Sequence, residues 1–204
     1  MNAADTGVVK RGARAQAQRE RILAAAQECF VDHGFDAASM ADIARTAGMS
    51  PGLMYRYFPS KHAIVLAIIE RQLQERRVKI AQLHSSPDIV ANLLRSFEQW
   101  RSGEPGAMNI SLFLSMSADA SRDPQIAQAL LAADLVSRAD FVAWLCRGRE
   151  DGGLALSSEV AESRAIVMQC VFEGLAIRAS REPGLDIRQL EPTLRTLFER
   201  LLSR

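Results

Sequence analysis

The stretch SMADIARTAGMSPGLMYRYF, residues 39–58, leaves the backbone few options. Ser39 stands where a helix N-cap belongs, with Asp42 three residues on, a near capping box ahead of an apolar run. Ser50 opens a second helix, and Pro51 occupies its first turn, where a missing N–H costs nothing. The spacing predicts helices over 39–47 and 50–58, joined tightly through Ala47, Gly48 and Met49, where glycine permits the turn. Two short helices joined by such a turn form a helix-turn-helix, the unit that lays its second helix in the DNA major groove. The pattern is internally consistent. Ala44 is small where the helices cross, and Ile43, Met54 and Phe58 can point inward, the last two as i, i+4 neighbours.

The other side of the second helix holds Pro51, Gly52, Leu53, Tyr55, Arg56 and Tyr57, and these tyrosines are the only two in the chain. A tyrosine at the mouth of a groove can offer its hydroxyl to phosphate while its ring covers sugars and thymine methyls. Gly52 removes bulk at the helix start, so backbone N–H groups can approach a phosphate. The alternative is a pair of ordinary half-buried aromatics. The flanking motif favours the DNA reading.

Helical spacing and helix breakers run through the rest of the chain. Apolar residues at Ile22, Ala25, Ala26, Cys29 and Phe30 mark one face of a helix from about Arg14 to His33, closed at Gly34, with His33 serving its C-terminus. Ser60 caps a long helix, 61–82, apolar at Ile64, Leu66, Ala67, Ile68 and Leu73. Beyond Ser85-Ser86-Pro87, helices are expected at about 88–101, 105–120, 124–149, 158–181 and 187–203. Their separators are Gly103–Gly106, Arg122–Pro124, Gly152-Gly153 and Pro183-Gly184. Strand alternation is almost absent, so the fold class is all-α. With 48% hydrophobic and 24% charged residues, the chain can bury a core and is not of disordered type.

The net charge of +1 hides an asymmetry: residues 1–82 carry 12 Lys or Arg against 8 Asp or Glu, and residues 83–204 carry 13 against 16. Lys10, Arg11, Arg14, Arg19 and Arg21 open the chain, and such a basic arm suits either a polyanion or solvent. No apolar run spans a bilayer, and the N-terminus lacks a signal-peptide core, so a cytoplasmic protein without membrane contact is expected. Cys29, Cys146 and Cys170 are too scattered for a disulfide framework or a metal site and read as small buried hydrophobes. His33, His62 and His84 lie on separate segments without metal spacing. No nucleophile elbow, P-loop or dinucleotide fingerprint occurs, so neither an enzyme nor a cofactor is expected.

Residues 18–66 resemble the DNA-binding domain of the tetracycline-repressor (TetR) family. The matching features are Ala26 to Phe30 followed by Gly34-Phe35, the SMADIARTAGMS helix and turn, and the LMYRYFPSK close. The resemblance implies a basic arm (1–17), a three-helix helix-turn-helix domain (18–66, running into a linker helix to about 82) and a helical ligand-binding and dimerisation domain (83–204). It implies that Ser39, Met40, Ser50, Pro51, Gly52, Leu53, Tyr55, Arg56, Tyr57 and Lys61 approach operator DNA, with Lys61 clamping a phosphate. Met40 stands where Val or Thr is common and Leu53 where a polar base-reader sometimes occurs, so direct base readout is expected to be sparse.

In the second domain, helix 158–181 carries two apolar stripes. Ala161, Ala165, Met168 and Phe172 face the chain's own core; Val160, Val167, Val171 and Gly174 are left for a second subunit. The last helix repeats the theme with Leu194, Leu197, Phe198 and Leu201, and Pro192 marks a kink or a late start. The resemblance supports pairing the two helices in a homodimer interface; the alternative is that they complete one subunit's core. Met108, Leu112, Phe113 and Met116, with Phe97, Trp100, Phe141, Trp144, Met168 and Phe172, can line either a plain core or an adaptable pocket. The pocket would take an apolar or aromatic small-molecule effector. The function expected is a ligand-responsive repressor acting as a homodimer on a palindromic operator, against the alternative of a helical adaptor or structural protein that does not bind DNA.

Overall fold

A computed structural model describes the backbone of residues 3–83, 88–104 and 107–203, with side chains from Gly12 onward. His84, the Ser85-Ser86-Pro87 break, part of the Gly103–Gly106 break and the side chains of Lys10 and Arg11 lie outside the described residues. The order is α1 (Ala3–Ala37), α2 (Met40–Thr46), α3 (Pro51–Tyr55), α4 (Lys61–Gln82), α5 (Ile89–Ser102), α6 (Ile110–Ala120), α7 (Pro124–Cys146), α8 (Ser158–Arg181) and α9 (Glu191–Leu202). No strand occurs among the described residues.

Several boundaries differ from the sequence expectation, each for a local reason. The helix begins at Ala3 rather than near Arg14, because VKRGARAQAQ is rich in strong helix formers that outweigh Gly12. At Gly34 the backbone takes φ 79°, ψ 164°, an extended mirror-image conformation rather than a left-handed helical one, and a single further turn follows. The later helix starts at Ile110, where Asn109 Oδ1 accepts from Leu112 N at 3.0 Å, so Met108 precedes it. α7 ends at Cys146, and residues 147–156 fold back, with Trp144 Nε1 donating to the Gly152 carbonyl at 3.0 Å. The last helix starts late, with Pro192 in its first turn after a 3₁₀ turn at Ile187–Leu190.

The chain divides into two compact units. The first holds the residues up to Ile69 together with Ser115–Ala127; the second holds Glu70–Leu114 and Gln128 onward. In the first, Ile22, Ala26, Phe30, Ile43, Met54, Phe58, Ile64 and Ile68 are buried. Ala67 is half-buried and Leu66 is exposed, so α4 keeps only part of its expected apolar face.

The second unit buries one large cluster from the end of α4 and helices α5, α7, α8 and α9, including Leu93, Phe141, Trp144, Ala161, Ala165 and Met168. Phe172 and Trp100 pack on it, and Trp100 also packs on a smaller cluster of Phe97, Ala179 and Ile187. Leu194 and Phe198 belong to the large cluster, with Leu201 and Val171 packed against it. Leu194 and Phe198, expected to face a second subunit, are thus buried in their own chain's core, whereas Val171 and Leu201 keep half-buried side chains. Cys29 is buried and Cys146 half-buried, but Cys170 is exposed, against the expectation of three buried cysteines.

Candidate nucleic-acid interface

The capping chemistry of α2 is complete. Ser39 Oγ accepts from Asp42 N at 3.1 Å, and the Asp42 carboxylate accepts from Ser39 N at 3.2 Å and from the Ser39 hydroxyl at 2.5 Å. The serine hydroxyl and backbone, reinforced by Arg45, hold the Asp42 carboxyl below the usual carboxylate range. At the other end of α2, Met49 N donates to Ala44 O and Gly48 N to Arg45 O, each at 3.0 Å, a Schellman closure with Gly48 at φ 60°. A Cβ on Gly48 would also lie 2.5 Å from Arg21 Nη2, which donates to the Gly48 carbonyl at 3.3 Å. The positive φ favours glycine there, while the Arg21 guanidinium, at the end of a flexible side chain, could move aside.

Ser50 Oγ accepts from Leu53 N at 3.3 Å, opening α3 behind Pro51. The α-helix ends at Tyr55 rather than Phe58. Arg56 N and Tyr57 N bond three residues back, to Leu53 O and Met54 O, so the segment tightens before Pro59, whose ring disfavours helical backbone at Phe58. Met54 and Phe58 are inward at 0% and 2% exposure, whereas Tyr55 is outward at 52%. Pro51, Gly52 and Arg56 are exposed; Leu53, Tyr57 and Met40 are half-buried; Ser39 and Ser50 are exposed. The outer face of α3 is therefore the one expected, with Tyr57 less open than Tyr55. No atom lies within 4 Å of a Cβ built on Gly52, whose backbone is ordinary, so nothing in the fold demands glycine there.

Two cations that sequence reasoning either missed or assigned elsewhere hold this unit together. Arg19 Nη1 donates to the Tyr57 carbonyl at 3.1 Å, and its guanidinium lies 4.3 Å from the Phe58 ring centroid. The arginine run at the chain's start signalled basicity, but its spacing gave no hint of that partner. Lys61 Nζ donates to the carbonyls of Phe35, Asp36 (3.1 Å) and Ala38 (2.9 Å), 4.3 Å from the Phe35 ring centroid. An ammonium has three donors and all three are taken here, so in this conformation none is left for a phosphate.

The same unit carries a histidine–carboxylate contact between residues far apart in sequence. His62 Nε2 lies 2.5 Å from Asp123 Oδ2, and the imidazole packs edge-on to Phe35 with centroids 5.3 Å apart. Asp123 also caps α7 through Gln125 N and Ile126 N, and the His62 hydrogen bond holds its carboxyl below the usual carboxylate range. His33 Nδ1 lies 3.3 Å from the Cys29 carbonyl, at the helix end as expected. No cluster of three or more potential metal ligands occurs among the described residues.

Comparison with known proteins agrees with this geometry. The family of bacterial regulatory proteins described as tetR matches residues 22–68. The transcriptional regulator UidR of Escherichia coli K12 is 34% identical over 184 residues, which cover 84% of this chain and 90% of UidR. The chain belongs to the TetR family. Among solved structures, Salmonella enterica GusR superposes with a TM-score of 0.75 at 26% identity, covering 91% of this chain and 95% of that one. The transcriptional activator FasR of Mycolicibacterium smegmatis is 43% identical over 56 residues, only 28% of this chain and 26% of FasR. TetR-family proteins are DNA-binding transcriptional regulators and not enzymes, and this chain is one of them. Among the described residues no helix is long and apolar enough to cross a membrane.

Of the remaining expected site residues, Phe97, Leu112, Phe141, Trp144 and Met168 are buried in the second unit, with Met108 and Phe113 half-buried. Met116 is buried but belongs to the first unit. Val160, Val167, Gly174 and Leu197 are exposed.

Proposed function

We propose that the protein is a cytoplasmic, ligand-responsive repressor that binds a palindromic operator as a homodimer and blocks access to the promoter. The observation that carries this reading is the outward face of α3. Tyr55 stands exposed and Gly52 is open beside it, while Met54 and Phe58 anchor the same helix from below. A helix built this way presents polar and small groups to a groove without loosening its own core. Ser39, Met40, Ser50, Pro51, Gly52, Leu53, Tyr55, Arg56 and Tyr57 approach the duplex, and Lys61 acts from behind by holding the turn after Gly34.

Two copies place two recognition helices on successive turns of one face, about 34–36 Å apart. An effector bound in the second unit shifts that spacing by preferring one arrangement, with a coupling of about 1–3 kcal/mol. Helices α4, α6 and α7 each begin in one unit and end in the other, so they are the covalent routes for such a shift. The effector is apolar or aromatic, in keeping with the aromatic and methionine side chains buried in the second unit. An adaptor role without DNA binding leaves the outward Tyr55 and the open Gly52 unexplained.

The test is fluorescence anisotropy with duplexes tiled across the protein's own promoter region, at fixed salt. One duplex is expected to bind at least about a thousandfold more tightly than random sequence. Equal binding to all duplexes would defeat the operator reading.

A further inference from the structure

With all three Lys61 donors held by carbonyls, charge for the DNA backbone has to come from other cations of the first unit. Two of them share one face of α1. Arg14 and Arg21 are seven residues apart, so they lie on the same side of the helix, about 10.5 Å apart along its axis. Arg21 fixes where that side points. Its Nη2 donates to the Gly48 carbonyl at 3.3 Å, two residues before Ser50, the N-cap of α3. Arg21 is exposed, and this bond takes one of the five N–H donors of a guanidinium, so it has donors to spare for a second acceptor.

Arg14 is exposed, as are all residues from Gly12 to Ala17, and it has no hydrogen bond or ion pair among the described residues. The buried face of α1 begins only at Ile22, so packing gives this stretch of helix nothing to do. Between the two arginines the same side carries Ala17, which is small, and Gln18, which is neutral. Glu20, the one acidic residue from Gly12 to Arg21, points about 100° away from Arg21 and accepts from Gln16 Nε2 at 2.7 Å. Arg19 lies on the opposite side and is spent on the Tyr57 carbonyl and the Phe58 ring. The face that meets the turn before α3 is therefore purely basic from Arg14 to Arg21.

We propose that Arg14 and Arg21 bind two phosphates of the DNA backbone beside the half-site, and so supply the charge neutralisation that Lys61 does not. This inference rests on the operator reading above and names its phosphate contacts. Position argues for DNA as the occupant. Arg21 stands at the turn that opens α3, so a strand entering beside Ser50 and Gly52 passes its guanidinium first and Arg14 further along the helix. Chemistry argues the same way, because a planar guanidinium offers two parallel donors to phosphate oxygens. The Gly48 carbonyl then acts on the one already docked, holding the Arg21 head against the turn while its other donors face outward.

The test uses the full chain in fluorescence anisotropy from about 50 to 200 mM salt, on the tightest promoter duplex and on a random duplex of equal length. Thermal unfolding checks each variant. Arg14→Gln and Arg21→Gln are each expected to bind both duplexes with a salt slope shallower by about 0.9, and the double variant by about 1.8. Over that range each single variant's deficit against wild type shrinks about 3.5-fold. Arg14→Lys keeps the charge and is expected to keep the wild-type slope. Arg14→Gln is expected to melt with wild type. Should Arg21→Gln fail to fold, Arg14→Gln decides alone, since no described residue bonds its side chain. A wild-type slope for either glutamine variant overturns the assignment and leaves the operator reading standing. Equal wild-type binding to the two duplexes defeats the operator reading, while the slopes still decide the phosphate contacts.

Discussion

Replacing Lys61 by methionine keeps the stem and removes the ammonium. Its three donors hold the carbonyls of Phe35, Asp36 and Ala38, the turn that carries the chain from α1 into α2. Hydrogen bonds to a charged group contribute about 1.5–3 kcal/mol each. The Phe35 ring beneath the ammonium adds about 0.5–1 kcal/mol. Lys61 is only half-buried, and the freed carbonyls regain water, so the three bonds do not add. A net loss of about 2–3 kcal/mol is expected, which lowers the melting temperature by about 4–12 °C for a chain of this size. Lys61→Arg is not expected to rescue it, because a planar guanidinium cannot aim three donors at three converging carbonyls.

Operator affinity of Lys61→Met should fall while its salt dependence stays parallel to wild type, since no phosphate contact is lost. A phosphate clamp predicts the opposite: an unchanged melting temperature and a salt slope shallower by about 0.9. That pair of results would refute the structural role of Lys61 and restore the role the family resemblance implies.

Arg19→Met removes the bond to the Tyr57 carbonyl and should cost about 1.5–3 kcal/mol of stability, with weaker DNA binding at an unchanged salt slope; denaturant unfolding and anisotropy check both. Gly52→Ala meets no atom of the chain, so its melting temperature should hold or rise slightly. Its operator affinity should nevertheless drop at least about tenfold, and equal affinity would mean the start of α3 stays clear of the duplex. Asp42 and Asp123 both have carboxyls held below their usual range. Their contribution is therefore fully present above the ordinary aspartate value of about 3.9 and is lost as pH falls below it. Asp42→Asn and Asp123→Asn should be less stable than wild type at pH 7 and converge with it in acid unfolding titrations; a constant gap would contradict the linkage.

How far the residues announced the structure depended on whether the deciding interactions were local. The caps at Ser39 and Ser50, the Gly48 turn and the inward Met54 and Phe58 all follow from neighbours within a few positions, and each stands as expected. The partners of Arg19, Lys61 and His62 were not legible, because they lie 38, 23 to 26 and 61 residues away. The apolar stripe of α9 shows the limit of periodicity. It identifies a face to be buried but not what buries it, and Leu194 and Phe198 went to their own core. On α7 the apolar content is spread around the helix, so periodicity alone does not separate the exposed Leu131 and Leu135 from the buried Phe141 and Leu145.

The central claim is that α3 reads DNA with its exposed face while Phe58 holds it in place. Anisotropy on the tightest promoter duplex, paired with thermal unfolding, tests this with Tyr55→Ala and Phe58→Ala. Tyr55→Ala should lose about ten- to a hundredfold in affinity, the equivalent of about 1.5–3 kcal/mol, and melt with wild type. Phe58→Ala should lose about 3–5 kcal/mol of stability, as for other buried phenylalanines. A Tyr55→Ala protein that binds as tightly as wild type would contradict the account, whatever the Phe58 variant does.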